Sequence, residues 1–299
     1  MSRFLTSKLG IALAAACALA AALAAWAFWL EPSSLTVRHV NLTVPVWHAG
    51  HAGLKVALLT DLHVGAPHMG LARLRRVVER VNAEAPDVVL ITGDFVIGGP
   101  QDEGGERGGV AGGTFVAPEP IAAELKALRA PLGVYAVLGN HDWWFDGERV
   151  TRALEGAGLR VLENGAVRVE RDGRAFWLAG VADLWTRTPV IEGALRQVNS
   201  DDPVVLFTHN PDIFPKVPPR VSLTLAGHTH GGQVKLPFVG RLKVPSMYGQ
   251  RYAAGHVVED NRHLFVTTGI GTSIIPVRFG VPPEVVFLTL KTVPTHTER

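Results

Sequence analysis

The chain has one cysteine, Cys17, and it lies inside an apolar stretch. No intramolecular disulfide can form, and a metal site would have to be built from His, Asp, Glu or Asn. A lack of disulfides suits either side of a bacterial membrane, so cysteine usage leaves the compartment open. Excess charge of either sign is missing too: 29 Lys and Arg face 27 Asp and Glu, and the basic residues are scattered. That pattern marks no nucleic-acid surface. No internal repeat is visible, and with 47% hydrophobic residues over 299 positions the chain has ample core for one large α/β domain or two small ones.

Long hydrophobic runs are also scarce, with one exception. Residues Leu9 to Leu30 carry no charge and end in Trp26, Phe28 and Trp29. The run is long enough to span a bilayer. Arg3 and Lys8 precede it and Glu31 follows, which places the N-terminus in the cytoplasm and the main domain outside. Ala25-Trp26-Ala27 has the small-x-small form of a signal cleavage site, so a cleaved leader is the rival reading, and a buried core helix the bland one. The run is longer than a usual signal core and its terminal Trp pair suits the membrane interface, which favours a retained anchor. The expected organisation is an anchor over 1–31, a linker and opening strand over 32–53, a main domain over 54–292 and a tail over 293–299.

Alternation over Leu35 to Val44 reads as the opening strand. Short β-branched runs follow at Leu54 to Thr60, Asp87 to Thr92, Gly133 to Leu138, Ala175 to Val181, Pro203 to Thr208, Val221 to Ala226, His263 to Thr267 and Glu284 to Leu290. Several are apolar throughout, as strands buried on both faces are. Helical periodicity occupies 69–85 and segments near 119–129, 148–157 and 190–198. Strands and helices alternate early and strands crowd together later, which implies a mixed sheet or two sheets covered by helices. A Gly-rich stretch from Gly98 to Gly113 reads as a surface insertion or a lid.

The polar residues that follow the strands carry the chemistry. Five apolar runs lead directly into Asp61-Leu-His63, Gly93-Asp94, Gly139-Asn140-His141-Asp142, His209 and Gly227-His228-Thr229-His230. Ligands gather at the carboxyl ends of strands in open α/β sheets, so these blocks can meet in one crevice. They would bring four His, two Asp and one Asn as ligands, with His141 as a fifth histidine; this N/O set suits Mn, Fe or Zn. Seven groups are too many for one tetrahedral ion and suit two ions about 3.5 to 4 Å apart that share a carboxylate. Two divalent cations, two Asp and one hydroxide leave about one positive charge, which favours a phosphate oxyanion as substrate.

These blocks, in this order, resemble the calcineurin-like metallophosphoesterase superfamily, over roughly residues 54 to 292. The apolar N-terminus, Gly227-His-Thr-His-Gly-Gly-Gln233 and Gly269-Ile-Gly-Thr-Ser273 with Pro282-Pro-Glu284 are similar to its bacterial YaeI/YkuE-type branch. The resemblance implies a four-layer α/β/β/α sandwich of two mixed sheets with the metals at strand carboxyl ends. It implies that Asp61, His63, Asp94 and His230 hold one metal, that Asp94, Asn140, His209 and His228 hold the other, and that His141 is the general acid. It further implies a phosphodiesterase or pyrophosphatase whose substrate is membrane-associated or lipid-linked, such as UDP-2,3-diacylglucosamine of lipid A synthesis, and a single-pass anchor in the bacterial inner membrane.

One departure stands out. Many members carry an Asp three residues after the Gly-Asp block to orient the catalytic histidine, and here that position is Ile97. Either another acceptor such as Asp142 orients His141 or the acid is weaker. The rival readings are a membrane-tethered, non-catalytic metal-binding module of the same fold, and a metallo-β-lactamase-type hydrolase. The second needs Asp-His soon after His-x-His, where this chain has Gly231-Gly232-Gln233. Arg251 and Arg278 are further candidates for a phosphate, and Trp143-Trp144-Phe145 is either a platform for a lipid or base or part of the core. His39, His48, His51, His68, His256, His263 and His296 lack a matching context. The oligomeric state is not legible.

Overall fold

The structure is a computed structural model that describes residues 2–98 and 109–292, with side chains from residue 8 onward. Most of the Gly-rich insertion and the 293–299 tail lie outside the described residues. Helix α1 (Ser2–Ala25) widens into a π-type turn over Trp26–Leu30 and ends in a short helix α2 (Glu31–Ser33). The apolar span Lys8–Ser33 is almost wholly exposed, at 6% buried, and is long enough to cross a membrane.

Two six-stranded mixed sheets follow. The first joins β1 (Thr36–Val44), β2 (Leu54–Leu59), β3 (Val88–Ile91), β4 (Val134–Ala136), β5 (Arg160–Val161) and β14 (Glu284–Thr292) in the order β1-β14-β2-β3-β4-β5. Among the described residues its only antiparallel pair is β14 with β2. The second joins β6 (Gly165–Arg171), β7 (Arg174–Val181), β8 (Val204–Thr208), β9 (Leu223–Ala226), β12 (Gly255–Glu259) and β13 (Arg262–Val266) in the order β12-β13-β9-β8-β7-β6. Its outer pairs are antiparallel and its inner strands parallel. A small hairpin, β10 (Lys235–Leu236) with β11 (Gly240–Arg241), stands apart.

Alternation along the strands makes the four layers. Val56, Leu58, Leu90 and Leu288 meet Phe176, Leu178, Phe207 and Phe265 between the sheets. On the outer face of the first sheet, Ala57, Leu59, Val89 and Ile91 pack under α3 (Leu71–Ala83), α4 (Pro118–Leu125) and α6 (Gly147–Gly156) through Leu74, Val77, Ile121 and Leu154. Ala179, Val181, Leu206 and Val266 do the same under α7 (Ile191–Leu195) and a 3-10 turn at Pro211–Lys216. Both faces of the inner strands are buried, so their sequences are largely apolar.

The end of the apolar helix is fastened to the domain. Buried Glu31 accepts hydrogen bonds from the backbone N–H of Gly280 (3.0 Å) and Val281 (2.6 Å) and from Trp26 Nε1 (2.7 Å). Arg278 N donates to Ala27 O, His68 Nε2 to Phe28 O and Arg73 to the carbonyls of Ser33 and Ser34. Replacing Glu31 with Ala strands three donors, so we expect a loss of roughly 2 kcal/mol or more. Thermal unfolding of the detergent-solubilised protein measures it, with Glu31→Gln recovering part of the loss.

Candidate metal centre

The two sheets lie face to face with several parallel strands ending on the same side. Asp61 and His63 follow β2, Asp94 follows β3, and Asn140 and His141 open helix α5 (Asn140–Phe145) after β4. His209 follows β8, and His228 and His230 follow β9. All eight side chains are at most 5% exposed. The loops are stitched across the seam. His228 N donates to Asp61 Oδ2 (2.9 Å), His209 Nδ1 to Thr92 O (2.7 Å) and Gly271 N to Asp61 O (2.7 Å).

Their backbone is unusual. Asp61, His63, Asp94, His228 and His230 all have φ between +43° and +68°. A left-handed conformation costs a non-glycine residue about 1–2 kcal/mol, and such strain collects where function holds it. The turn at Asp94 also explains two glycines of the motifs. A Cβ on Gly93 would run into the backbone of Gly139, and one on Gly139 would run into the Asp94 carboxylate.

The ligand atoms converge in two groups that share one carboxylate. In the first, His63 Nε2 and His230 Nε2 are 3.1 Å apart, and Asp61 Oδ1 lies 3.9 and 3.3 Å from them. In the second, His209 Nε2 is 3.1 Å from Asn140 Oδ1 and 3.0 Å from His228 Nδ1. Asp94 Oδ2 reaches both, at 3.4 Å from His63 Nε2 and 3.3 Å from His209 Nε2. Its other oxygen accepts from His141 N (2.9 Å).

The donor chemistry fits divalent cations. Asp61 Oδ1 is buried and has no hydrogen-bond donor among the described residues. Because Nδ1 of His209 donates to Thr92 O, its Nε2 turns a lone pair toward two oxygens and another imidazole nitrogen. A cation resolves that convergence of lone pairs; in the chain alone a proton does so less well. Burial opposes a charge on His209, yet Asp94 and Asp61 raise it to about 10. Burial likewise raises Asp94, but the charges of His209 and His141 outweigh it and hold the carboxyl well below its usual value. Burial lifts Asp61 to about 7 and takes His63 down to about 3. His228 and His230 are held low by burial and by neighbouring histidines.

Asp142 does not orient His141. Its carboxylate accepts from the backbone N–H groups of Asp94 (2.8 Å), Phe95 (2.8 Å), Val96 (3.2 Å) and Gly139 (2.9 Å), which ties the β3 loop to the β4 loop. His141 Nδ1 has no hydrogen-bond partner among the described residues. The ring is held by contact alone, edge-on to His63 at 4.5 Å and against Trp144 at 4.9 Å. Ile97, at the departing position, is buried in the outer core beside Gly65 and Gly113.

The remaining candidates separate cleanly. Arg278 is fully buried and donates to the carbonyls of Thr268, Gly269, Gly271 and Val281, so it braces the loop behind Asp61 and is not free for a phosphate. Arg251 pairs with Glu259 at the surface. Of the aromatic cluster, Trp144 touches His141, whereas Trp143 takes the Arg187 guanidinium and Phe145 packs on Phe115. One residue escaped the sequence reading. Trp185, half exposed, stands edge-on to His228 at 4.2 Å and 6.4 Å from Trp144, so the two indoles wall the centre. The signal was present: Val181-Ala-Asp183 also ends a buried strand in a carboxylate.

A family model of the calcineurin-like phosphoesterases matches residues 54–232. The chain belongs to that family. It is 33% identical over 270 residues to the uncharacterized metallophosphoesterase YkuE of Bacillus subtilis, with 89% of each chain covered. It is 31% identical to phosphodiesterase YaeI of Escherichia coli, over 80% of this chain and 83% of that one. A zebrafish transmembrane protein with metallophosphoesterase domain is 31% identical over 84% of this chain, which spans 57% of that relative. Among solved structures, the Haemophilus influenzae NAD nucleotidase aligns over 73% of this chain and 50% of its own, at 15% identity and a TM-score of 0.44. The protein is thus a hydrolase of the metallophosphoesterases, which use divalent metals.

Asp142 offers a test that separates scaffold from chemistry. Asp142→Ala leaves four buried N–H groups without an acceptor, and at about 1–3 kcal/mol for each unsatisfied group the variant should lose several kcal/mol. Denaturant unfolding checks this, and a loss below about 1 kcal/mol would contradict the stapling role.

Proposed function

We propose that the chain is a two-metal phosphodiesterase or pyrophosphatase that works at a membrane on a lipid-linked substrate. In this reading Asp61, His63, Asp94 and His230 hold one ion, and Asp94, Asn140, His209 and His228 hold the other. The observation that carries the reading is Asp94 Oδ2, poised between His63 and His209 and so suited to bridge. Mn, Fe and Zn all suit these donors. When bound, such a pair supplies positive charge for the phosphate oxyanion and lowers the pKa of the attacking water.

The chain's own residues supply the rest. His141 is the general acid that gives its proton to the leaving oxygen, a role for which an imidazole is apt near neutral pH. With no hydrogen bond on Nδ1, its orientation rests on His63 and Trp144, which makes aromatic packing part of the acid's positioning. Trp144 and Trp185 offer apolar faces to a base or acyl chain beside the metals. Asp61 and Asp94 keep the site selective for an anion only while cations outweigh them.

The membrane reading rests on the exposed apolar span and on its Trp-rich end. Charge bias favours an inner-membrane anchor with the domain outside the cytoplasm. A nucleotide-linked lipid A precursor such as UDP-2,3-diacylglucosamine calls for the opposite face. Protease accessibility of a C-terminal tag on intact cells versus spheroplasts decides between them: cleavage only after the outer barrier is opened places the substrate in the envelope.

Three further outcomes test the chemistry. Asp94→Asn should abolish hydrolysis of bis-p-nitrophenyl phosphate by the manganese-loaded protein. His141→Ala should cost about 10²–10⁴-fold on an alkyl diester, whose leaving oxygen needs a proton, and much less on the p-nitrophenyl ester, whose leaving group does not. Equal loss on both substrates would remove the acid role. Metal binding should release protons near neutral pH, because Asp61 at about 7 and His209 at about 10 hold protons in the free chain that a cation must displace. Affinity should therefore fall as pH drops below about 10 and more steeply below about 7, and calorimetry in buffers of different ionisation heat reads the proton count. A metal-bound chain that hydrolyses no phosphoester would instead fit the non-catalytic module.

A further inference from the structure

The fifth metal motif continues without a break toward the apolar helix. After His230, Gln233 binds the backbone of Ser273 and Ile275 through its side chain, and Phe279 N donates to Gln233 O. The residue just before Phe279, Arg278, donates its backbone N–H to Ala27 O of the helix end. Two loops are thereby brought beside the point where the span leaves the domain: the β10-β11 hairpin and residues 271–279.

Both loops carry side chains that the fold does not use. Phe238 at the hairpin tip is 110% exposed, next to Val239 at 65%, with Leu242 just beyond at 61%. Ile274 is 65% and Ile275 50% exposed. Phe238 and Ile274 also sit at φ +63°, a conformation that suits glycine or asparagine and strains a bulky or β-branched residue. Local backbone preference would select against both, so a contact outside the fold is what accounts for them. From Gln233 to Arg251 there is no acidic residue, and Lys235, Arg241, Lys243 and Arg251 give the segment its only charges. A hollow of about 250 Å³ opens at the foot of this hairpin, between edge strands β1 and β12, lined by Arg38, Lys235 and Arg241. It also borders Gly280 and Val281, the residues that hold Glu31. Glu284, the acid on its wall, is engaged by Arg38, Thr267 and Thr268.

We propose that this face is a membrane seat: Phe238, Val239, Leu242, Ile274 and Ile275 enter the leaflet from which the helix emerges, and the basic hollow takes the headgroup of an anionic phospholipid. Apolar tips flanked by Lys and Arg bind such interfaces. The inference rests on the reading of the span as an anchor and adds to it a second, fixed contact. The catalytic centre, tied to the same loops through Gln233 and Gly271, is then held at headgroup depth, facing phosphoesters of lipids in that leaflet.

The full chain in liposomes tests it. The native Cys17, labelled with an environment-sensitive fluorophore before reconstitution, reports the span. In a Cys17→Ser background, the same label at Phe238→Cys, Ile275→Cys and the distant, exposed Val258→Cys reports the rim. Spin-labelled lipid should quench Cys17, Phe238→Cys and Ile275→Cys at least about twofold more than Val258→Cys. Native mass spectrometry should find phosphatidylglycerol retained by the parent chain and lost on Lys235→Ala with Arg241→Ala. Quenching at Cys17 with none at the rim overturns the seat and leaves the anchor. No quenching at Cys17 overturns the anchor and the seat with it. Rim quenching without selective lipid retention overturns the headgroup site.

Discussion

Asp94 is the residue on which the other parts of this molecule depend. Its amide is held by Asp142, its carbonyl by His63 N, one carboxylate oxygen by His141 N, and the other lies between imidazoles from both sheets. Its left-handed backbone requires glycine nearby at 93 and 139. A buried carboxylate so placed needs positive charge within reach. The chain alone meets that need with a proton on His209, and cations meet it for the whole cluster. The glycines, the strained turns and the Asp142 staple all follow from keeping one oxygen between two sets of nitrogens.

Much of this was legible in the sequence because the inner strands are buried on both faces. The stretch Val56 to Leu59 has no polar residue to confuse its end with its middle, so the polar groups that follow it mark the strand's carboxyl terminus. Asp61, Asp94, His209 and His228 were found that way, and the structure brings them together. Helices were found where an apolar stripe packs on a sheet, as with Leu74 and Val77. Short edge elements left no such trace. Strands β5, β11 and β12 are brief or half exposed, and α5 is about a turn and a half set by the contact of His141 N with the Asp94 carboxylate, not by periodicity.

Roles that depend on distance along the chain were the hardest to see. Arg278 has the composition of a phosphate ligand and the position of a structural brace, and only its carbonyl partners separate the two. Asp142, adjacent to His141, is its neighbour in sequence and not in function. Glu31, at the edge of an apolar run, looked like a charge that ends a span; in the fold it is a buried acceptor that joins the span to loop 280–281.

The pairing of β1 with β14 bears on how the protein is made. β14 lies between β1 and β2, yet nearly the whole domain separates it from both in the chain. Until residues 284–292 have been synthesised, β2 presents a bare edge and β1 has no neighbour at all. Contacts this remote in sequence form late and slowly. The loop that backs Asp61, at Gly269 and Gly271, is tied to the start of β14 by Glu284 N donating to Gly269 O and settles with it. The first helix is therefore complete while the domain is still open, and the Asp and His side chains of the candidate centre settle together only once the chain has been read through residue 292. Truncation upstream of 284 would remove an inner strand of a sheet, leaving a chain that cannot close.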